Sequence, residues 1–155
     1  MPNKFNMNDI FEIAVRIEKN GAVFYRNAAK KINDEQNKKF LLDLAEMEDD
    51  HSVTFSNMQK ELKIQETMTT DFDPDDENLA YLKALADTHI FLKNDQPDES
   101  LQNILATAIQ TEKDSIAFYL GMKELVPANS GKEKINDIIK EEMNHIKILA
   151  EKLKE

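Results

Sequence analysis

Two glutamates in this chain stand three residues ahead of two histidines, Glu48 before His51 and Glu142 before His145. At that spacing a helix carries a carboxylate and an imidazole on one face, with Cβ atoms roughly 5–6 Å apart. Side by side, such groups can hold one metal ion. A displacement of 94 positions, from 48 to 142 and from 51 to 145, takes the first pair onto the second and brings other residues into register. Glu18-Lys19-Asn20-Gly21-Ala22-Val23-Phe24-Tyr25 falls on Glu112-Lys113-Asp114-Ser115-Ile116-Ala117-Phe118-Tyr119, with Glu, Lys, Phe and Tyr coinciding. One displacement that aligns two separate blocks, each holding a glutamate, points to a duplicated helical hairpin. The candidate metal ligands are Glu18, Glu48, His51, Glu112, Glu142 and His145.

The elements that must position these residues read as helices throughout. The chain has three glycines and four prolines, with Ala, Leu, Ile, Glu and Lys abundant, which favours helix over strand. A first helix is expected after Asn8 as N-cap, running to about Lys31, with Ile10, Ala14, Ile17, Gly21, Phe24 and Ala28 on its apolar face. Asn33-Asp34 supplies turn chemistry. In the second helix Leu41, Leu44, Glu48, His51, Phe55, Met58 and Leu62 alternate at spacings of three and four, so the glutamate and histidine interrupt the buried stripe. A polar connection follows Ile64, then a shorter helix from about Leu79 to Lys93. A third long helix from about Asp98 to Val126 carries Leu101, Leu105, Ala108, Glu112, Ile116 and Tyr119. Pro127 to Gly131 breaks it, and a fourth places Ile135, Ile138, Glu142, His145, Leu149 and Leu153 on one stripe. The expected fold is all-α, an antiparallel four-helix bundle with a long crossover carrying a short extra helix, in a single domain over residues 1–155.

In a hairpin, residues equidistant from the turn lie level. Glu18 and the Glu48–His51 pair are balanced about Asn33 and Asp34, and Glu112 and the Glu142–His145 pair about Pro127 and Ala128. Each hairpin therefore presents its three candidates at one height. Ionised carboxylates in an apolar core cost several kcal/mol each, so six such groups call for cations. Two divalent ions balance four carboxylates, a terminal Glu and a His on each ion and Glu bridging between them. Oxygen and imidazole donors with no thiolate suit iron or manganese, and iron is the preferred assignment.

Composition narrows the partners. The absence of cysteine removes disulfides, thiolate iron sites and thiol catalysis. A formal charge of −10 disfavours nucleic acid and anionic membrane surfaces. No segment is apolar and long enough to span a bilayer, and the N-terminus has no signal-peptide run, so a cytoplasmic location is expected.

Simpler readings exist for each feature. With 30 acidic residues in the chain, a single Glu three places before a His is commonly a solvated helix pair. That reading puts the residues outward, whereas both pairs fall on apolar stripes. Tyr25 and Tyr119 follow the two lone glutamates by two turns on the same face, where they either pack or hydrogen-bond a ligand carboxylate. His89 reads as a surface or ordinarily packed histidine, and Met47 and Met143 as packing or surface residues.

Two repeats of Glu followed by Glu-x-x-His on four helices resemble the di-iron carboxylate proteins of the ferritin-like fold. The blocks EKNGAVFY and EKDSIAFY look most like rubrerythrins, over roughly residues 8–62 and 98–153. The resemblance implies a ferritin-like bundle holding two iron ions, with manganese an option at one position. It makes Glu48 and Glu142 the bridging carboxylates and Glu18 and Glu112 the terminal ones. It also implies hydrogen peroxide or dioxygen as substrate, oxidoreductase activity in oxidative stress, and a homodimer. Full-length rubrerythrins add a cysteine-ligated rubredoxin-like iron domain, which a cysteine-free chain cannot form, so an external electron donor such as a rubredoxin-like protein is expected. Typical rubrerythrins also have a further glutamate where this sequence has Ser115, and its absence bears on ligand exchange during peroxide reduction.

The expected function is thus a non-haem di-iron peroxide reductase or ferrous iron oxidase. One alternative is an iron store similar to bacterioferritin, disfavoured because ten residues follow His145, too few for the short fifth helix of such chains. Another is a metal-stabilised structural or interaction bundle without turnover.

Overall fold

The computed structural model describes residues 6–62, 77–87, 100–126 and 131–155. Among them are five helices: α1 Met7–Lys30, α2 Glu35–Lys60, α3 Glu77–Asp87, α4 Leu101–Leu125 and α5 Lys132–Leu153. The described residues contain no strand. α1 packs along α2 and α4 along α5, the two hairpins meet through α1 and α4, and the short α3 lies on α4. This is the all-α bundle of long helices, with a shorter one added, that the hydrophobic periodicity predicts. None of the described helices is long and apolar enough to cross a membrane.

Helix ends follow local chemistry. α1 begins two residues earlier than the sequence reading places it. Asn6, not Asn8, is the N-cap, because its side chain accepts the Asp9 amide at 3.0 Å while the Asp9 carboxylate accepts the Asn6 amide at 3.0 Å. That reciprocal box satisfies two amide donors at once. Asp34 caps α2 through the Asn37 amide at 2.9 Å, and Ser100 caps α4 through the Asn103 amide at 3.0 Å. α4 therefore starts at Leu101; Asp98 lies outside the described residues. α5 starts after Gly131, whose φ of +102° suits glycine. A Cβ there would also come within 2.5 Å of Met58 Cε, so the start of α5 closes directly onto the end of α2. Gly121 plays a comparable part under α3, where a Cβ would stand 2.9 Å from Leu82. The shorter helix is described only to Asp87. Residues 63–76, 88–99 and 127–130 lie outside the description, and with them His89 and most of the predicted crossover.

Buried apolar residues form two clusters at opposite ends of the bundle. One joins Ile10, Phe11 and Ala14 of α1 to Phe55 and Met58, Phe118 and Met122, and Ile135 and Ile139, with Leu79 and Leu82 of α3 beneath. The other joins Phe24 and Ala28 to Leu41 and Leu44, Ile104 and Leu105, and Leu149. Along every long helix the change from one cluster to the other falls at a buried polar residue. Glu18, Glu48, His51, Glu112, Glu142 and His145 are all at most 4% exposed. The core is thus two apolar blocks separated by a charged layer.

Candidate metal centre

Each hairpin delivers its residues to that layer from the middle of a helix, where intrahelical hydrogen bonds fix the backbone. All six residues singled out in the sequence meet there. They form two overlapping quartets, Glu18, Glu48, His51 and Glu142 in one and Glu48, Glu112, Glu142 and His145 in the other, each offering ligand atoms within 4.8 Å of one another. Glu48 and Glu142 belong to both.

Both imidazoles turn Nδ1 inward. His51 Nδ1 is 2.7 Å from Glu142 Oε1 and 3.6 Å from Glu18 Oε2. His145 Nδ1 is 3.3 Å from Glu48 Oε1, 3.3 Å from Glu112 Oε1 and 3.6 Å from Glu142 Oε2. First-row ions take oxygen and imidazole nitrogen at roughly 2.0–2.2 Å, which sets neighbouring ligand atoms of one ion about 3 Å apart, and the inward atoms are spaced accordingly. A further observation tests the fit. Among the described residues, Glu18 Oε2, Glu48 Oε1, His51 Nδ1 and both oxygens of Glu142 are the buried side-chain atoms that make no well-aligned hydrogen bond, crowding against one another and His145 across the layer instead. Buried polar atoms are normally paired, and every exception here belongs to the proposed ligand set. The donor set, carboxylate oxygen and imidazole nitrogen, fits a divalent metal, and Glu48 and Glu142 face both quartets.

The carboxylates accept hydrogen bonds from the opposite hairpin. Tyr25 of α1 donates to Glu112 Oε1 at 2.8 Å and Tyr119 of α4 donates to Glu18 Oε1 at 2.6 Å. Burial, and then the charge of Glu112 on Tyr25 and of Glu18 on Tyr119, raise both phenols well above their ordinary value, so both remain donors. The two readings of these tyrosines from sequence are compatible, since each ring also packs: Phe55 lies 5.0 Å from Tyr119 and Phe24 lies 5.5 Å from Tyr25 by ring centroids.

Electrostatics show what the cluster demands. Burial, followed by repulsion from Glu112 and Glu18, raises Glu48 well above the usual carboxylate range. Burial, then Glu18 and Glu112, does the same to Glu142. Burial opposes charge on the imidazoles, yet contacts with Glu142 and Glu18 push His51 up to about 11, and contacts with Glu112 and Glu142 push His145 up to about 10. For Glu112, burial is outweighed by its contacts with Glu142 and His145, which hold it ionised. Without metal, the layer balances its negative charge with protons.

Two contacts lie on the outer side of the imidazoles. His51 Nε2 meets the carboxylate of Glu141, and His145 Nε2 meets Met47 Sδ at 3.2 Å. The sequence reading misses Glu141 and assigns Met47 to packing or surface. Their shared signal is position, each directly preceding the glutamate of a Glu-x-x-His motif. Beyond them a cavity of about 690 Å³, lined by His51, His145, Glu141, Asp50 and Asp137 among others, opens between α2 and α5. On the opposite side, Ser115 is buried and donates to the Thr111 carbonyl at 3.0 Å. It borders a cavity of about 10 Å³ beside Gly21, Glu48 and Glu112, which leaves no room for a longer side chain without rearrangement. Met143 is exposed, as its reading allows.

A four-helix bundle whose centre holds a glutamate and a Glu-x-x-His pair from each hairpin is the architecture of ferritin-like carboxylate proteins. The Rubrerythrin family model matches residues 9–93, more than half of the sequence, and the chain belongs to that family. Its fold is similar to the crystal structure of a Thermotoga maritima protein described as a ferritin-like diiron-carboxylate protein, with a TM-score of 0.73 and 26% sequence identity over 100% of this chain and 99% of that one. No curated protein matches.

Proposed function

We propose that this protein is a non-haem di-iron oxidoreductase that reduces hydrogen peroxide with electrons drawn from an external donor, or oxidises ferrous iron with dioxygen or peroxide as the acceptor. The observation that carries this reading is the pair of buried quartets sharing Glu48 and Glu142, in which the buried polar atoms without a well-aligned hydrogen bond gather. Glu18 with His51 and Glu112 with His145 would be the terminal ligands of the two ions, and Glu48 and Glu142 the bridges. Two bound irons would supply the two electrons needed to reduce peroxide to water, acting also as Lewis acids.

The chain's own residues do the rest. Tyr25 and Tyr119 fix the terminal carboxylates, and Glu18 keeps its second oxygen, Oε2, without a hydrogen-bond partner. The two apolar clusters keep bulk water from the layer along the bundle axis. The cavity between α2 and α5 gives a molecule the size of peroxide or dioxygen a route to the histidine side. With no cysteine, the sequence offers no thiolate-bound iron to relay electrons, so a separate donor, such as a rubredoxin-like protein, fits the reading.

The test is anaerobic loading with ferrous iron, metal analysis, and stopped-flow mixing with hydrogen peroxide. The expected result is two irons per chain and one rapid rise of ferric absorption, which halts until a reductant is added. Bound iron that peroxide does not oxidise would overturn the redox reading in favour of an inert, metal-stabilised bundle. Mineral growth over repeated ferrous additions would favour storage.

A further inference from the structure

The displacement that superposes the two motifs takes Met47 onto position 141, which is Glu141. The structure gives these two residues the same task on opposite hairpins. Glu141 reaches from α5 to the outer nitrogen of His51 on α2, and Met47 reaches from α2 to the outer nitrogen of His145 on α5. The layer is close to two-fold symmetric in its six ligands and its two tyrosines. At the residues that meet the outer nitrogens of the imidazoles it is not.

The chemical difference is large. A carboxylate accepts a strong, charge-assisted hydrogen bond, whereas a thioether sulfur is a weak acceptor. When an imidazole binds metal through one nitrogen, an acceptor on the other nitrogen fixes the tautomer, sets the ring plane and raises the basicity of the ligating atom. His51 has such an acceptor and His145 has a poor one. We propose that Glu141 is a positioning residue for His51, and that the metal position formed by Glu18, Glu48, His51 and Glu142 therefore holds its ion more tightly than the one formed by Glu48, Glu112, Glu142 and His145. This rests on the two-metal reading of the site and is independent of turnover. The weaker position is the one beside Met47, whose side chain is partly exposed.

Titration of the metal-stripped chain with Co(II), followed by visible absorption and calorimetry, tests the assignment. The wild type should take two ions in two steps. Glu141 is exposed on α5, so Glu141→Gln should preserve the fold, which circular dichroism checks, while weakening the first step about 10–100-fold and leaving the second within about threefold. Met47→Glu supplies the missing acceptor and should tighten the second step, drawing the two together. Two ions bound by Glu141→Gln with both affinities unaltered, or with only the second weakened, would overturn this inference and leave the two-metal reading standing. Fewer than two ions in the wild type would overturn both.

Discussion

The imidazoles of His51 and His145 lie nearly parallel, with ring centroids 5.9 Å apart and planes inclined by 19°. Two rings whose protonated forms would repel one another are nonetheless both pushed upward, to about 11 and about 10, by the carboxylates around them. The sign of the resulting pH dependence follows. Both histidines hold protons more firmly folded than unfolded, so their contribution is complete below about 6.5 and is lost as pH rises toward 10 and 11. Glu48 and Glu142 are raised above 4.5 and act in the same direction from that pH upward. Glu112, depressed, acts oppositely and only as pH falls below 4.5. Metal-free protein should therefore lose melting temperature steadily between about pH 5 and 9. Bound Mn(II) or Zn(II), which replaces those protons, should stabilise more as pH rises. Thermal scans with and without chelator check both; a metal-free melting temperature that climbs with pH contradicts the argument.

Isosteric replacement of a bridge separates proton from metal. Glu48→Gln and Glu142→Gln resemble the protonated acids that burial favours, so each should leave the metal-free fold intact and flatten its alkaline loss of stability. Each should also cut bound metal well below two ions per chain, because a shared ligand serves both positions. Equilibrium dialysis with elemental analysis reads the outcome, and full stoichiometry in either variant would remove that residue as a bridge.

Removing one phenol should loosen the joint between hairpins. Tyr25→Phe leaves Glu112 without its 2.8 Å donor, and Tyr119→Phe leaves Glu18 without its 2.6 Å donor. A lost partner for a buried charged acceptor costs about 1–3 kcal/mol. Urea unfolding of the metal-free variants should show that loss, and both should bind metal more weakly than the wild type.

At the far end of the second hairpin, Gly131→Ala places a Cβ in left-handed backbone and against Met58. The backbone penalty alone is roughly 1–2 kcal/mol. Urea midpoints should fall accordingly, while the metal stoichiometry stays unchanged because the site lies several turns away.

The central layer is legible in the sequence because ionisable groups on an apolar stripe are costly, and four such interruptions at matching heights have few explanations other than a shared charge balance. Helix ends are less so. Asn6 and Asn8 are both acceptable caps by type, and only Asp9, three residues after Asn6, decides between them. Glu141 and Met47 stay hidden for a different reason. Both are exposed, and their importance comes from how α2 and α5 run beside each other, which the periodicity of a single helix does not encode. Ser115 is visible as a departure in type, but the tightness of its surroundings is not.

The exchange of tyrosines has a consequence for how such a bundle arises. Glu18 takes its hydrogen bond from Tyr119, and Glu112 takes its from Tyr25, so neither hairpin completes its own half of the layer and each completes the other's. This is the pattern of an isologous contact, in which residue i meets j and j meets i. A single hairpin with this sequence pattern is self-complementary and could close the same layer with a twin. Joining the two in one polypeptide frees them from identity, and the glutamate facing one imidazole with methionine facing the other is a difference that only a fused pair can have.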